Sequence, residues 1–157
     1  MGHFAFALFF GLLAIAATAQ TTAPKLTDFA GTWKAEFKKE TWLTLTLERV
    51  TVVTDARYRG EVLSGTLTHS MYLSSDNEGD ITSVGDEMSK ALITKATLEG
   101  NVLHLVTKDE EGDEDGYDLT LTGPNSADLK PLSSDGSPTP KAFILKRVVP
   151  TVPNPQK

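Results

Sequence analysis

The sequence predicts an all-β protein, an antiparallel up-and-down barrel of about eight strands, on three observations. Apolar residues alternate with polar residues along most of the chain after residue 28, which is the spacing of a strand with one buried face. The alternating segments are short, and turn-forming residues separate them. No long amphipathic helix is apparent, although residues 86–91 are compatible with a helical turn or two. Such a pattern is typical of an up-and-down barrel or of a sandwich.

The first 19 residues differ in composition from the rest of the chain. Residues 4–19 form an almost uninterrupted apolar run that ends in Ala17-Thr18-Ala19, a small-x-small pattern that a signal peptidase accepts. The run is shorter than the ~20 apolar residues that span a bilayer, which argues against a membrane anchor. We therefore expect residues 1–19 to be a signal peptide cleaved before Gln20. The mature protein is then periplasmic or secreted, with no stable membrane insertion.

The remaining chain has the size and composition of one soluble domain. We expect an exposed lead-in at residues 20–27, a β-barrel domain at 28–149 and a disordered tail at 150–157. All 15 basic and 21 acidic residues follow the leader, so the mature protein is acidic, with a net charge of −6. Because the basic residues are scattered among carboxylates, binding to nucleic acid is not expected. The absence of cysteine excludes disulfides, thiolate metal sites and cysteine nucleophiles.

The predicted strands follow one another at short intervals. The first is centred on Ala35 and the second on Leu45, with a tight turn around residues 39–41 between them. The third, at residues 57–69, contains Gly60 and Gly65, which indicate a bulge or a sharp bend that lets the sheet curl. The remaining predicted strands are residues 72–73, 81–84, 92–98, 102–107, 117–122, 126–129 and 142–148. The turn at 99–101 is predicted to close a hairpin, because its glycine adopts positive φ at no steric cost.

Two features near the ends of the predicted domain resemble one superfamily. Gly31-Thr32-Trp33 opens the first strand, and Arg147 lies near the end of the last. This pairing resembles the lipocalin and calycin superfamily, in which a Gly-x-Trp at the barrel entrance is covered by a basic side chain from late in the chain. The resemblance implies a structural closure by Gly31, Trp33 and Arg147, with the guanidinium stacked on the indole. The chain also looks like small exported bacterial Gly-Thr-Trp barrel modules of unassigned function, which implies no chemistry.

The residues that point into the barrel bear on function. The bulky residues expected there are Leu43, Leu45, Leu47, Leu103, Leu105, Leu119, Leu121, Phe143 and Leu145. The hypothesis is an exported lipocalin-like barrel that binds a small apolar or amphipathic ligand. The candidate contacts are the aromatic residues Trp42, Tyr58, Tyr72 and Tyr117. The alternative is a non-catalytic accessory or protein-interaction module, because such leucines nearly fill an eight-stranded barrel.

Sequence motifs for catalysis or metal binding are absent, so we predict no enzyme activity and no cofactor. The chain has no Gly-x-Ser-x-Gly, no His-Glu-x-x-His and no phosphate-binding glycine loop. His69 and His104 lack an obvious third ligand and are expected to be structural, with His104 pointing outward. Acidic residues concentrate at 76–80 and 109–115, but the second segment has a threonine where an EF-hand needs its last glutamate. Both are expected to be solvated turns, and the sequence leaves calcium binding there open.

Overall fold

The computed structural model describes residues 23–55, 58–132 and 141–149. The predicted signal peptide, the first three residues of the predicted lead-in and the predicted tail lie outside these residues. A short 3-10 helix at Leu26–Phe29 precedes the strands. The strands are β1 (Gly31–Phe37), β2 (Glu40–Asp55), β3 (Tyr58–Ser70), β4 (Leu73–Ser75), β5 (Ile81–Val84), β6 (Met88–Glu99), β7 (Val102–Lys108), β8 (Glu114–Gly123), β9 (Ser126–Leu132) and β10 (Phe143–Arg147). No helix within the described residues is long and apolar enough to span a bilayer.

Eight of the strands form a closed antiparallel barrel, which confirms the predicted fold class. The order around the barrel is β1-β10-β9-β8-β7-β6-β3-β2, and β1 pairs with β10 to close it. Neighbours in the chain are neighbours in the sheet, except that β4 and β5 leave the barrel as a separate two-stranded hairpin. A single closed sheet also excludes the sandwich that the alternation alone had allowed.

The barrel interior is filled with side chains. Of the nine bulky residues expected to point inward, eight are buried and Leu121 is half-buried. Trp33, Leu45, Leu103, Leu119 and Leu145 are fully inaccessible to solvent. At about 25 cal/mol per Å² of apolar surface removed from water, such a core is the main source of stability for a domain without cysteines.

Three local features differ from the sequence predictions. Residues 86–91 form no helical turn, because β6 begins at Met88 and pairs with β3. The first hairpin turns at Lys38 and Lys39, one residue earlier than predicted, and both have the positive φ of a two-residue type I′ turn. The β2–β3 ladder passes Gly60 and Gly65 without a register shift, so of the two predicted alternatives, a bulge or a sharp bend, the bulge is excluded at both glycines. Gly65 instead permits a close approach, since a Cβ there would lie 1.8 Å from the Thr46 carbonyl oxygen.

β2 and β3 continue beyond the barrel wall as a two-stranded ribbon. β1 pairs with β2 as far as Leu47, and β6 pairs with β3 as far as Gly65, so residues 48–55 and 58–64 pair with each other only. Val50 and Val62 lie opposite each other on the ribbon and are 41% and 40% exposed. The ribbon therefore presents apolar surface outside the core.

Candidate ligand-binding site

One end of the barrel is closed by a cluster around Trp33. The 3-10 helix brings the Phe29 carbonyl to the indole, and Trp33 Nε1–H donates to that oxygen at 2.9 Å. The Arg147 guanidinium carbon lies 4.0 Å from the centre of the Trp33 ring. The same guanidinium donates to the Ala30 and Asp28 carbonyl oxygens. This end is therefore held by one stacked cation and a set of hydrogen bonds to backbone carbonyls.

Gly31 leaves room for that cation. Its φ is +131°, and a Cβ at this position would lie 2.9 Å from Arg147 Nη1. Any other residue would be strained in its backbone and would displace the guanidinium. The structure thus brings together Gly31, Trp33 and Arg147, which come from opposite ends of the chain, as a structural cluster. A cleft of about 720 Å³ lies beside this cluster, and its lining includes Asp28, Leu121 and Arg147.

The opposite end, which we call the mouth, is covered by the β4–β5 hairpin. The hairpin rests Leu73, Ile81 and Val84 on the core of the barrel. A cleft of about 480 Å³ lies between the β1–β2 turn and the β5 side of this hairpin. Its lining combines apolar with charged and polar side chains: Phe37, Lys38, Glu40, Thr41, Trp42, Ser83, Val84, Gly85, Asp86 and Met88. A second cleft of about 220 Å³ lies beside the hairpin tip and shares Phe37 and Trp42 with the first.

A bulge directs Trp42 toward the mouth. Ala35 pairs with Leu43 while Glu36 pairs with Thr41, so Trp42 is an extra residue in β2. In a bulge two successive side chains turn to the same face, and both Trp42 and Leu43 are buried. The Trp42 ring packs edge-on against Phe143, with ring centres 4.9 Å apart. Trp42 therefore covers the core and also lines both clefts.

The three aromatic candidates whose side chains the structure describes do not share one site. Trp42 lines both clefts at the mouth. Tyr72 is 63% exposed at the base of the hairpin, next to Gly85. Tyr117 lies half-buried between β7 and β9, and burial, together with the charge of Asp115, raises its pKa to about 12. The Tyr58 side chain lies outside the described residues.

Sequence reasoning missed several residues of the mouth. Phe37 belongs to the predicted first strand, but a place in a strand does not indicate a cleft. Met88 fell in the segment read as a helical turn, although the alternation of Ala91 and Ile93 with Lys90 and Leu92 just after it indicates a strand. No local pattern indicates that Lys38 and Asp86 lie at the same cleft, because β3 and the whole hairpin separate them in the chain.

The two acidic segments form turns capped by their own aspartates. Asp109 Oδ1 accepts hydrogen bonds from the backbone N–H of Gly112 and Asp113 at 2.8 and 2.9 Å. Asp76 Oδ1 accepts from two N–H groups in the same way, and these bonds, above all that from Asp80, lower the pKa of Asp76. In the 109–115 segment, oxygens of Asp109, Glu111 and Asp113 lie within 4.8 Å of one another, on exposed or half-exposed side chains. Turn formation accounts for the position of both capping aspartates.

The histidines lie apart on the barrel. His104 is on the outer face of β7, where Nδ1 is 2.6 Å from Asp118 Oδ1 and Nε2 is 3.8 Å from Glu99 Oε2. His69 Nδ1 is 2.9 Å from the Ser70 carbonyl oxygen. These three contacts are with adjacent strands or adjacent residues, as expected for structural histidines.

Fold and site together define a closed eight-stranded antiparallel barrel with the Trp33–Arg147 cluster at one end and a hairpin over the other, an architecture consistent with a lipocalin-like barrel. No protein-family model, no curated protein and no solved structure matches this chain.

Proposed function

We propose that this protein is an exported, non-enzymatic barrel of the lipocalin-like type that binds a small amphipathic molecule at its mouth. The observation on which this depends is the cleft of about 480 Å³ against Trp42. Small-molecule sites in proteins typically enclose about 300–1,000 Å³ and combine apolar walls with a few polar groups. The mouth meets both criteria.

The lining of the cleft indicates an amphipathic ligand rather than a wholly apolar one. Trp42, Phe37 and Met88 supply apolar surface on the barrel side. Lys38 supplies one positive charge, and Glu40 and Asp86 supply two negative charges, at the same cleft. The apolar part of a ligand would lie against the indole, and its polar part would remain near the charged residues and solvent.

The packed interior limits how deep a ligand can enter. Leu43 and Leu45 fill the barrel directly below Trp42 and are 1% and 0% exposed. A ligand in the centre of the barrel would have to displace such side chains, whereas the clefts at the mouth are not filled by side chains. The proposal is therefore binding at the mouth, with the barrel as a rigid support.

Titration of the mature protein with anilinonaphthalene sulfonate, an amphipathic fluorescent probe, tests this. We expect saturable binding, and we expect Met88→Ala to weaken it by roughly three- to tenfold, as for an apolar contact of about 0.7–1.4 kcal/mol. Leu92→Ala is the matched control, because Leu92 is an exposed apolar residue of the same strand that does not line the cleft. Equal affinity of the two variants would refute the assigned site.

The same titration addresses the alternative of an accessory or protein-interaction module. Two observations favour that alternative, namely the filled interior and the exposed valines on the β2–β3 ribbon. Absence of saturable binding of the probe and of extracted lipids to the wild-type protein would refute the ligand-binding proposal and leave the interaction module.

A further inference from the structure

One set of contacts joins the base of the β4–β5 hairpin to the barrel, and we call it the hinge. A second set holds the tip of the hairpin, and we call it the latch. The hairpin forms its own two-stranded sheet and shares no ladder with the eight barrel strands. At its base, Met71 N–H donates to the Glu87 carbonyl at 2.8 Å, and Gly85 N–H donates to the Tyr72 carbonyl at 2.9 Å. These bonds connect the outgoing and returning segments to each other, so they survive a rotation of the hairpin.

Ser70 fixes the position of the hinge. It is one of the few buried polar residues of the described chain, 3% exposed at the end of β3. Its hydroxyl oxygen lies 2.9 Å from both the Tyr72 and the Gly85 carbonyl oxygens. The single hydroxyl proton can be donated to only one of the two carbonyls at a time. Ser70 can therefore exchange one acceptor for the other when the two carbonyls move relative to each other. Gly85 packs closely against Tyr72, since a Cβ at position 85 would lie 3.0 Å from the Tyr72 Cβ. The missing side chain therefore leaves room for Tyr72.

At the far end, Lys141 holds the hairpin tip to the barrel. Lys141, just before β10, forms an ion pair with Asp80 at 2.8 Å, and its backbone N–H donates to the Gly79 carbonyl at 3.2 Å. Both side chains of the pair are more than half exposed. An ion pair of this kind contributes only about 0–1 kcal/mol in water, so the tip is held by a contact that breaks readily.

The region under the hairpin is where a ligand must enter. Both clefts of the mouth, about 480 and 220 Å³, lie between the hairpin and the barrel and share the walls Phe37 and Trp42. Ile81, between the latch and the hinge, is half-buried against the core. Release of the tip would lift Ile81 and expose Trp42.

We propose that the β4–β5 hairpin is a hinged cover over the mouth, that the Lys141–Asp80 pair is its latch, and that ligand entry requires the latch to open. This inference rests on the proposed function, since it regulates access to the same site. It predicts two measurable effects, one on the hairpin itself and one on ligand association.

The first experiment measures hairpin opening without any ligand. The chain has no cysteine, so Ile81→Cys introduces the only thiol, and its rate of modification by a thiol reagent reports exposure under the hairpin. We expect Lys141→Ala to raise this rate by about two- to fivefold, the range for loss of one exposed ion pair. Lys108→Ala, which removes an exposed pair with Glu114 elsewhere, should leave the rate unchanged. Ala127→Cys, fully buried on β9, corrects for global unfolding.

The second experiment locks the cover. In an Asp80→Cys, Lys141→Cys variant the two backbones are adjacent, and oxidation should form a disulfide across the latch. Association of anilinonaphthalene sulfonate should slow by at least about tenfold in the oxidised protein and recover on reduction, as expected for a gated site. Equal thiol modification rates with and without Lys141, or equal association rates in the two redox states, would overturn the cover. Failure of the wild-type protein to bind the probe would refute the proposed function, and the thiol measurement would then decide the hinge alone.

Discussion

Removal of the Arg147 side chain should destabilise the barrel by about 2 kcal/mol. Its guanidinium stacks on Trp33 at 4.0 Å, an interaction that contributes about 0.5–2 kcal/mol. Arg147 also donates to the carbonyls of Ala30, Asp28 and Pro124, and hydrogen bonds from a charged donor contribute about 1.5–3 kcal/mol each when buried. Two of these three bonds are exposed, and water replaces the donor there, which reduces the total to about 1–3 kcal/mol.

Chemical denaturation followed by tryptophan emission measures this loss. For a domain of this size, 2 kcal/mol corresponds to a melting temperature lower by about 6–10 °C. Arg147→Lys should lose part of this free energy, because an ammonium keeps the charge but can neither stack as a plane nor reach three carbonyls. Lys146→Ala, an exposed neighbour on the same strand, should change stability by less than about 0.5 kcal/mol. An Arg147→Ala variant as stable as wild type would refute the assigned closure.

Gly31 provides an independent test of the same geometry. Gly31→Ala should be destabilising, since its Cβ would lie 2.9 Å from Arg147 Nη1 at a φ of +131°. In the Arg147→Ala background the steric part of this cost disappears and only the backbone strain of about 1–2 kcal/mol remains. The two substitutions should therefore be non-additive in a double-mutant cycle. Strict additivity would mean that Gly31 is required for its backbone alone.

Two further predictions concern the barrel wall. Tyr117 keeps its proton in the fold up to a pKa of about 12, whereas in the unfolded chain it ionises near 10, so its contribution to stability is intact below pH 10 and is lost as the pH rises toward 12. The loss approaches about 2–3 kcal/mol, and denaturation at increasing pH should show it in wild type but not in Tyr117→Phe; parallel curves would contradict it. Gly65→Ala should cost more than about 3 kcal/mol in chemical denaturation, because its Cβ would collide with the Thr46 carbonyl. Gly100→Ala, with positive φ but open space around the Cβ, should cost only about 1–2 kcal/mol, and similar losses for the two would exclude the collision.

Alternation was sufficient to predict the barrel because most of its strands place every second residue in the core. Leu103, Leu105 and Leu119 show this most directly, each fully or almost fully buried at the position that period two assigns. Alternation fails where a strand gains a residue. In β6, Ile93 pairs with Thr107 but Lys95 pairs with Val106, so Thr94 is extra and the inward positions shift to Ala96 and Leu98. Such shifts depend on the partner strand, and a local pattern in one strand does not contain them.

The mouth was less predictable for the same reason. Trp42 was predicted only as one of four aromatic candidates for ligand contact, without a position in the barrel. Its burial against Phe143 follows from a register shift between β1 and β2. The sequence of β2 alone does not indicate this shift. The cover is likewise a tertiary feature, because β4 and β5 look like any other short strands until the pairing of β3 with β6 excludes them from the barrel.

The size of the barrel explains why its binding surface should lie at the end rather than in the centre. Eight strands enclose an interior that side chains can just fill, and leucine at most inward positions does fill it. A ligand cavity in such a barrel requires small inward residues, but the buried alanines Ala35, Ala91 and Ala127 are interspersed among leucines and aromatic residues. The bulge places the large indole of Trp42 at the mouth. One side of the indole covers the core, and the other side is an apolar part of the cleft lining. The proposed binding site and the core therefore share Trp42, and substitutions at Met88 or Lys141 test binding separately from stability better than substitutions at Trp42 do.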